Sequence, residues 1–268
     1  MSNEKFNAKK EVIHIVDDIR HYFAHNGNPD TKAIIGMSGG KDSTIAAALL
    51  VRALGPDRVI GVRMPNGLSR EDDIAAQVCD MLGIQHIYID ISKQLYEFTD
   101  ALAFHYGDLN SQVMTNAPAR IRMNILYGVA ATVGGRVINT GNASELYVGY
   151  TTKYGDLAGD YAILRDYYVT EVYQIGDVLS EIPFELVHKV PSDGMCGKTD
   201  EDNLGFTYDV LDAYLIDGVT PDIKTLQNIT KRHDRNMHKI NAIHLPHPRA
   251  ITRPYRYRHG GVYEDLSF

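Results

Sequence analysis

Apolar and polar positions follow helical and strand spacing in turn along the first half of the chain. Phe6, Val12, Ile13, Ile15, Val16, Ile19 and Phe23 recur at helical spacing over residues 5–25. HNGNPDTK then breaks the helix with Gly and Pro. KAIIGM is a short apolar run, read as a buried strand, and the Ala/Leu-rich stretch from Thr44 predicts a helix that stops at Gly55. RVIGVRM reads as a second strand and REDDIAAQVCDML as a helix stopping at Gly83. IQHIYIDI reads as a third strand, followed by a helix with Ser92 as its N-cap. A longer helix is expected to start near Ala117 or Pro118, and RVINTGN is a fourth strand. The Gly- and Tyr-rich residues 147–161 read as an irregular loop. Helices are predicted near 170–180, 206–216 and 222–239, and the tail 244–268 shows no periodicity.

This order, β-α-β-α-β-α, predicts an α/β fold: a doubly wound parallel sheet with right-handed crossovers and helices on both faces. The 268 residues contain no internal repeat and no low-complexity linker, so a single domain over 1–268 is expected. A net charge of −7 disfavours a role on duplex nucleic acid. The two cysteines, Cys79 and Cys196, are too few and too far apart for a disulfide framework or a zinc ribbon. The N-terminus lacks a signal-type apolar region and no window approaches a membrane span, which predicts a cytoplasmic protein that binds no membrane.

The candidate chemistry begins at IIGMSGGKDST, residues 34–44. It is not a Walker A loop, because Gly40-Lys41 is followed by Asp42 and Ile35 stands where the first glycine belongs. It is not the dinucleotide fingerprint either, since Ser38 stands two residues after Gly36. What remains is S-G-G-x-D-S, filled by Ser38, Gly39, Gly40, Lys41, Asp42 and Ser43. Glycines let backbone N–H groups approach an anion, and a following helix adds its positive end. Asp42 beside a phosphate calls for a divalent cation between them, so it reads as a magnesium ligand. Lys41 reads either as a solvated helix-start lysine or as a phosphate contact. Thr140 stands at the carboxyl edge of the fourth strand, where open α/β sheets bind ligands.

The loop resembles the PP-loop of the N-type ATP pyrophosphatases, whose fold is adenine nucleotide alpha hydrolase-like. Four further stretches narrow the likeness: RMPNGLSREDDIAAQ, ARIRMNILY, INTGNASELYVGYTTKYGDLAGD and RNMHKINAIHLP. In this order they resemble the ammonia-dependent NAD synthetases over about residues 10–245. The resemblance implies ATP-dependent amidation of deamido-NAD with ammonia, giving NAD, AMP and pyrophosphate through an NAD-adenylate. Magnesium is the implied cofactor and a homodimer the implied assembly. Asp42 and Glu145 would hold the metal and be catalytic. Gly36, Ser38, Gly39, Gly40, Lys41, Asp42, Ser43, Arg63, Thr140 and Ser192 would contact ATP. Arg120, Lys153, Asp160, His238 and Lys239 would contact deamido-NAD. The length leaves no room for an added glutaminase domain, which implies free ammonia as the nitrogen donor.

Several positions depart from the family pattern, among them the acidic patch D-E-x-E-L-G, which reads Asp200-Glu201-Asp202-Asn203-Leu204-Gly205. Val169 replaces an ATP-contacting lysine, Ser192 a threonine and Ser69 a glutamine. Arg165, four residues before Val169, is the expected source of the missing charge, with Lys198 as an alternative. A tRNA-modifying PP-loop enzyme and a non-catalytic nucleotide-binding homologue are the competing readings; charge and the missing cysteine pair disfavour the first, and Val169 keeps the second open.

Overall fold

The computed structural model describes residues 6–189 and 199–240. The strands are β1 (Lys32–Met37), β2 (Val59–Arg63), β3 (Gln85–Tyr88), β4 (Gly135–Asn139) and β5 (Tyr161–Ala162). They form one sheet in the order β3-β2-β1-β4-β5, and every pair is parallel. The helices are α1 (Ala8–His25), α2 (Lys41–Leu54), α3 (Arg70–Met81), α4 (Ser92–Tyr106), α5 (Ser111–Val133), α6 (Ala143–Val148), α7 (Val169–Val178), α8 (Phe184–Val187), α9 (Asp200–Leu204), α10 (Tyr208–Asp217) and α11 (Ile223–Ile240). The doubly wound expectation holds.

A strand covered on both faces must be apolar at successive positions, and β1 shows this. Ile35 joins the core formed with α1, α2, α3 and α7, which includes Phe23, Ile45, Leu49, Val78 and Ile175. Its neighbour Ile34 points to the opposite face and packs with Ile91 and with Met123 and Leu126 of α5. A third apolar cluster, with Val148, Val169, Leu204, Leu211 and Ile229, binds α6, α7, α10 and α11 beyond the sheet edge. The strand order reverses between β1 and β4, so the connections leaving their carboxyl ends diverge and open a crevice.

Several local expectations shift. Helix α2 starts at Lys41 with Gly40 as its N-cap, not at Thr44, which puts Lys41, Asp42 and Ser43 in its first turn. Ser92 is the first residue of α4 rather than its cap; the Asp90 carboxylate accepts from the Ser92 N–H at 2.7 Å. Helix α5 begins at Ser111, capped by the Asn110 side chain, and carries Pro118 inside it. The predicted loop 147–161 ends in strand β5 and is preceded by the short α6.

Candidate active site

The chain leaves β1 through Ser38 and Gly39. Gly39 has φ +74°, and a Cβ there would lie 2.3 Å from the Glu71 carbonyl, so both conformation and space require glycine. The Gly40 N–H donates to Ser38 Oγ at 3.2 Å, and the Ser43 hydroxyl donates to the Gly40 carbonyl at 3.0 Å. The Ser38 and Ser43 hydroxyls are 3.1 Å apart. The first backbone bond of α2 runs from the Thr44 N–H to the Gly40 carbonyl. The N–H groups of Lys41, Asp42 and Ser43 therefore have no partner within the helix and lie at its positive end.

The two predicted metal carboxylates come together from the first turns of α2 and α6. Asn142 caps α6 with its side chain and donates from Nδ2 to Asp42 Oδ1 at 3.4 Å. Glu145 completes the same capping box, accepting the Asn142 N–H at Oε2 (3.2 Å). Burial and the facing Asp42 carboxylate push the Glu145 pKa up to about 8, with Lys41 offsetting part of the rise. Lys41 is not solvated. Its side chain is 3% exposed and its Nζ lies 2.7 Å from Asp42 Oδ2. Burial opposes the ammonium form, but Asp42 and Glu145 outweigh it and hold the pKa above the ordinary lysine value.

Among the described residues no group of three or more His, Cys, Asp or Glu side chains is arranged to hold a metal. A magnesium ion takes about six oxygen ligands in octahedral geometry. Asp42 and Glu145 fit it only as two members of a shell completed by phosphate oxygens and water. A further observation agrees with a polar guest. The buried Tyr208 hydroxyl has no hydrogen-bond partner among the described residues, and it lies within electrostatic reach of Glu145 and Asp42.

A cavity of about 740 Å³ opens beside the loop, bounded by Ser38, Gly40, Lys41, Met64, Leu126 and Thr140. Two cations missing from the predicted set line it. Arg122 of α5 donates from Nε to the Met64 carbonyl at 2.9 Å; burial lowers its pKa from the ordinary arginine value, against Asp156 and Glu71. Lys189 donates to the Gly39 carbonyl at 3.2 Å and pairs with Glu71 at 3.6 Å. The signal for Arg122 lay in the sequence: Pro118, Arg122 and Leu126 share the i, i+4 face of α5 that turns to the cavity. Arg120, two residues away, faces elsewhere.

Arg120, Lys153, His238 and Lys239 form a connected patch. Arg120 donates to the Lys153 carbonyl (3.2 Å), and Lys153 donates to the His238 carbonyl (2.6 Å). Lys239 donates to the carbonyls of Gly149 and Thr151, each at 2.8 Å. Asp160 is bonded differently: it accepts the β4 N–H of Val137 at 2.7 Å and the Tyr127 hydroxyl at 3.3 Å. Arg63 does not line the cavity; its guanidinium pairs with Asp72 at 2.7 Å and bonds His86 at 3.2 Å. Arg165 does not line the cavity either. Val169 is 1% exposed within the third apolar cluster, and its N–H donates to Ser144 Oγ at 3.0 Å. Ser192, Cys196, Lys198 and the tail 244–268 lie outside the described residues.

Comparison with known proteins identifies the family. A family profile described as NAD synthase matches residues 11–245. The NH(3)-dependent NAD(+) synthetase of Thermococcus sibiricus is 39% identical over 78% of this chain and 81% of its own. The Methanosarcina mazei protein of the same name is 36% identical over 90% and 97%. Among solved structures, the NMN synthetase of Francisella tularensis superposes with a TM-score of 0.83 at 32% identity, covering 90% of this chain and 99% of that one. The NH3-dependent NAD synthetase of Campylobacter jejuni, solved with a nitrate ion, gives 0.72 at 26% identity over 91% and 100%. With its loop, its paired carboxylates and a match that spans most of its length, this chain belongs to the NAD synthase family.

Proposed function

We propose that the protein amidates deamido-NAD with ammonia at the expense of ATP. The observation that carries this reading is the meeting of Asp42 and Glu145 beside the glycine loop, at the β1–β4 crevice of a chain of this family. The nicotinate carboxylate attacks the α-phosphorus of ATP and pyrophosphate leaves. Ammonia then attacks the acyl carbon of the adenylate, loses a proton, and expels AMP. The N–H groups of Lys41, Asp42 and Ser43, with the Ser38 and Ser43 hydroxyls, hold the phosphates. Arg122 and Lys189 bring positive charge to the cavity wall, and Lys189 supplies the charge that Val169 cannot. Asp42 and Glu145 would hold a magnesium ion that neutralises the departing pyrophosphate. Arg120, Lys153, His238 and Lys239 bind the anionic dinucleotide. The chain's work is positioning and charge stabilisation, with no covalent protein intermediate. Incubation with ATP, magnesium, ammonium and deamido-NAD should give NAD and AMP in equal amounts; their absence refutes the reading.

The likeness to an NMN synthetase favours a second reading, the same chemistry on nicotinate mononucleotide. Competition between equal concentrations of the two acids decides it by the ratio of amide products. A homodimer completes the proposal. Tyr96, Phe104 and Tyr106 of α4 and Met114 of α5 are exposed large side chains on adjoining helices, a surface suited to a second copy. Light scattering at micromolar concentration tests it. No described helix is long and apolar enough to cross a membrane, which agrees with a reaction in the cytoplasm.

A further inference from the structure

Lys41 combines three features that do not belong to an ordinary helix-start lysine. It stands in the first turn of α2, where the helix dipole repels a cation. Its side chain is 3% exposed, although lysine is among the residues least often buried. Its ammonium sits 2.7 Å from Asp42 and lies over the Tyr173 ring, 5.5 Å from the centroid. Among the described residues the carboxylates compensate most for that placement, and they are the same Asp42 and Glu145 that would hold the metal.

We propose that Lys41 is the resident counter-ion of the Asp42–Glu145 pair, so that the site rejects a divalent metal alone and accepts it together with a triphosphate. The inference rests on the metal assignment above. A dication drawn to the two carboxylates meets the ammonium already there, and like charges that close destabilise each other strongly in a water-poor crevice. Leaving Asp42 unaided would strand Lys41 as a buried, unpaired charge. A triphosphate removes the conflict, because its oxygens complete the metal's shell and give Lys41 a new anionic partner. Metal and nucleotide then enter as one unit, and the carboxylates do not fill with free magnesium while the cavity lacks ATP. Lys41 acts here as a positioning residue that sets the order of binding.

The test uses the full-length protein and Mn²⁺ alone, read by loss of the free-ion electron paramagnetic resonance signal. Lys41→Met should bind Mn²⁺ at least about tenfold more tightly than the parent, a difference of about 1.4 kcal/mol. Lys41→Arg should stay as weak as the parent. Adding Glu145→Gln to Lys41→Met should abolish the gain. Lys41→Gln serves in place of Lys41→Met if circular dichroism shows that the latter is unfolded. Equal Mn²⁺ affinity in parent and neutral variant overturns the proposal. So does a gain that survives Glu145→Gln, since the metal then sits elsewhere. Neither result touches the amidation reading, which the product assay judges separately.

Discussion

Gly149→Ala should loosen the contact between α6 and the C-terminal half of α11. Gly149 ends α6 at φ +64°, ψ 32° and carries the carbonyl that receives Lys239. A Cβ built there would lie 2.1 Å from Asn236 Cβ and 2.4 Å from its Cγ. Asn236 cannot step aside freely, because its Nδ2 donates to the Val148 carbonyl at 3.2 Å and to Arg232 at 2.7 Å. Two costs add. An alanine in the left-handed region costs about 1–2 kcal/mol, and forcing a methyl into a packed contact costs about 1–3 kcal/mol. The total of about 2–5 kcal/mol is comparable to the few hydrogen bonds that dock α11 on α6, at about 1 kcal/mol each. These run from His233 to the Tyr147 carbonyl, from Asn236 to Val148 and from Lys239 to Gly149. Undocking should therefore compete with the folded arrangement. Amide hydrogen exchange should show protection reduced across residues 233–240, and the KM for deamido-NAD should rise more than that for ATP. Gly134→Ala is the control: its φ is +71° but a Cβ there meets nothing within 4 Å, so only the backbone cost of about 1–2 kcal/mol applies. If Gly149→Ala exchanges and melts like Gly134→Ala, the contact does not hold α11 and the argument fails.

Asp42→Asn and Glu145→Gln should each lower kcat by about 100-fold or more, as for lost charge stabilisation at a reacting centre; Glu145→Gln should melt near the parent, whereas Asp42→Asn, which strands the buried Lys41 ammonium, should melt lower, and full activity of either at saturating magnesium would contradict the two-carboxylate site. In metal-free buffer, the contribution of Glu145 to stability should fall as pH rises from about 5 to about 8. The folded state keeps the Glu145 proton up to about pH 8, whereas the unfolded chain releases it near the ordinary glutamate value of 4.5; Glu145→Gln should flatten that slope in urea titrations. Arg122→Ala and Lys189→Ala should each reduce kcat/KM for ATP by about tenfold or more, whereas Arg165→Ala should behave like the parent; the reverse order would return the missing charge to Arg165. Glutamine should not replace ammonium through Cys79, which is fully buried and whose thiol burial pushes up to about 11, the opposite of an activated nucleophile; glutamine-driven turnover abolished by Cys79→Ser would overturn this.

The sheet was legible because burial on both faces leaves a simple trace: continuous apolar runs followed by helices with glycine stops. The loop was legible because its residue types have few other uses in that order. Elements below that length left no such trace. β5 has two residues and α6 has six, and both exist because tertiary contacts hold them. Pro118 misled the placement of α5 because proline favours a helix's first turn. Here the Asn110 cap starts the helix earlier, and the carbonyl deprived of a partner belongs to Met114, which is 46% exposed at the cavity rim. Arg122 was set aside because it stands two residues from Arg120 and so faces elsewhere on the helix; that other face is the one that turns to the cavity. Lys41 was balanced between solvent and phosphate, and the structure buries it against Asp42 with Glu145 nearby, a second carboxylate that lies more than a hundred residues away in sequence.

Helix α6 carries the carboxylate of one site at its start and the anchor of the other at its end. Glu145 lies in its first turn, and the Gly149 carbonyl that receives Lys239 follows its last residue. Six residues of α-helix span about 9 Å. A rod that short does not bend, so a shift of Glu145 on loading of the metal and triphosphate must be carried to the α11 patch as a whole-body movement. By thermodynamic reciprocity, whatever the nucleotide does to dinucleotide affinity through this strut, the dinucleotide does to nucleotide affinity in equal measure.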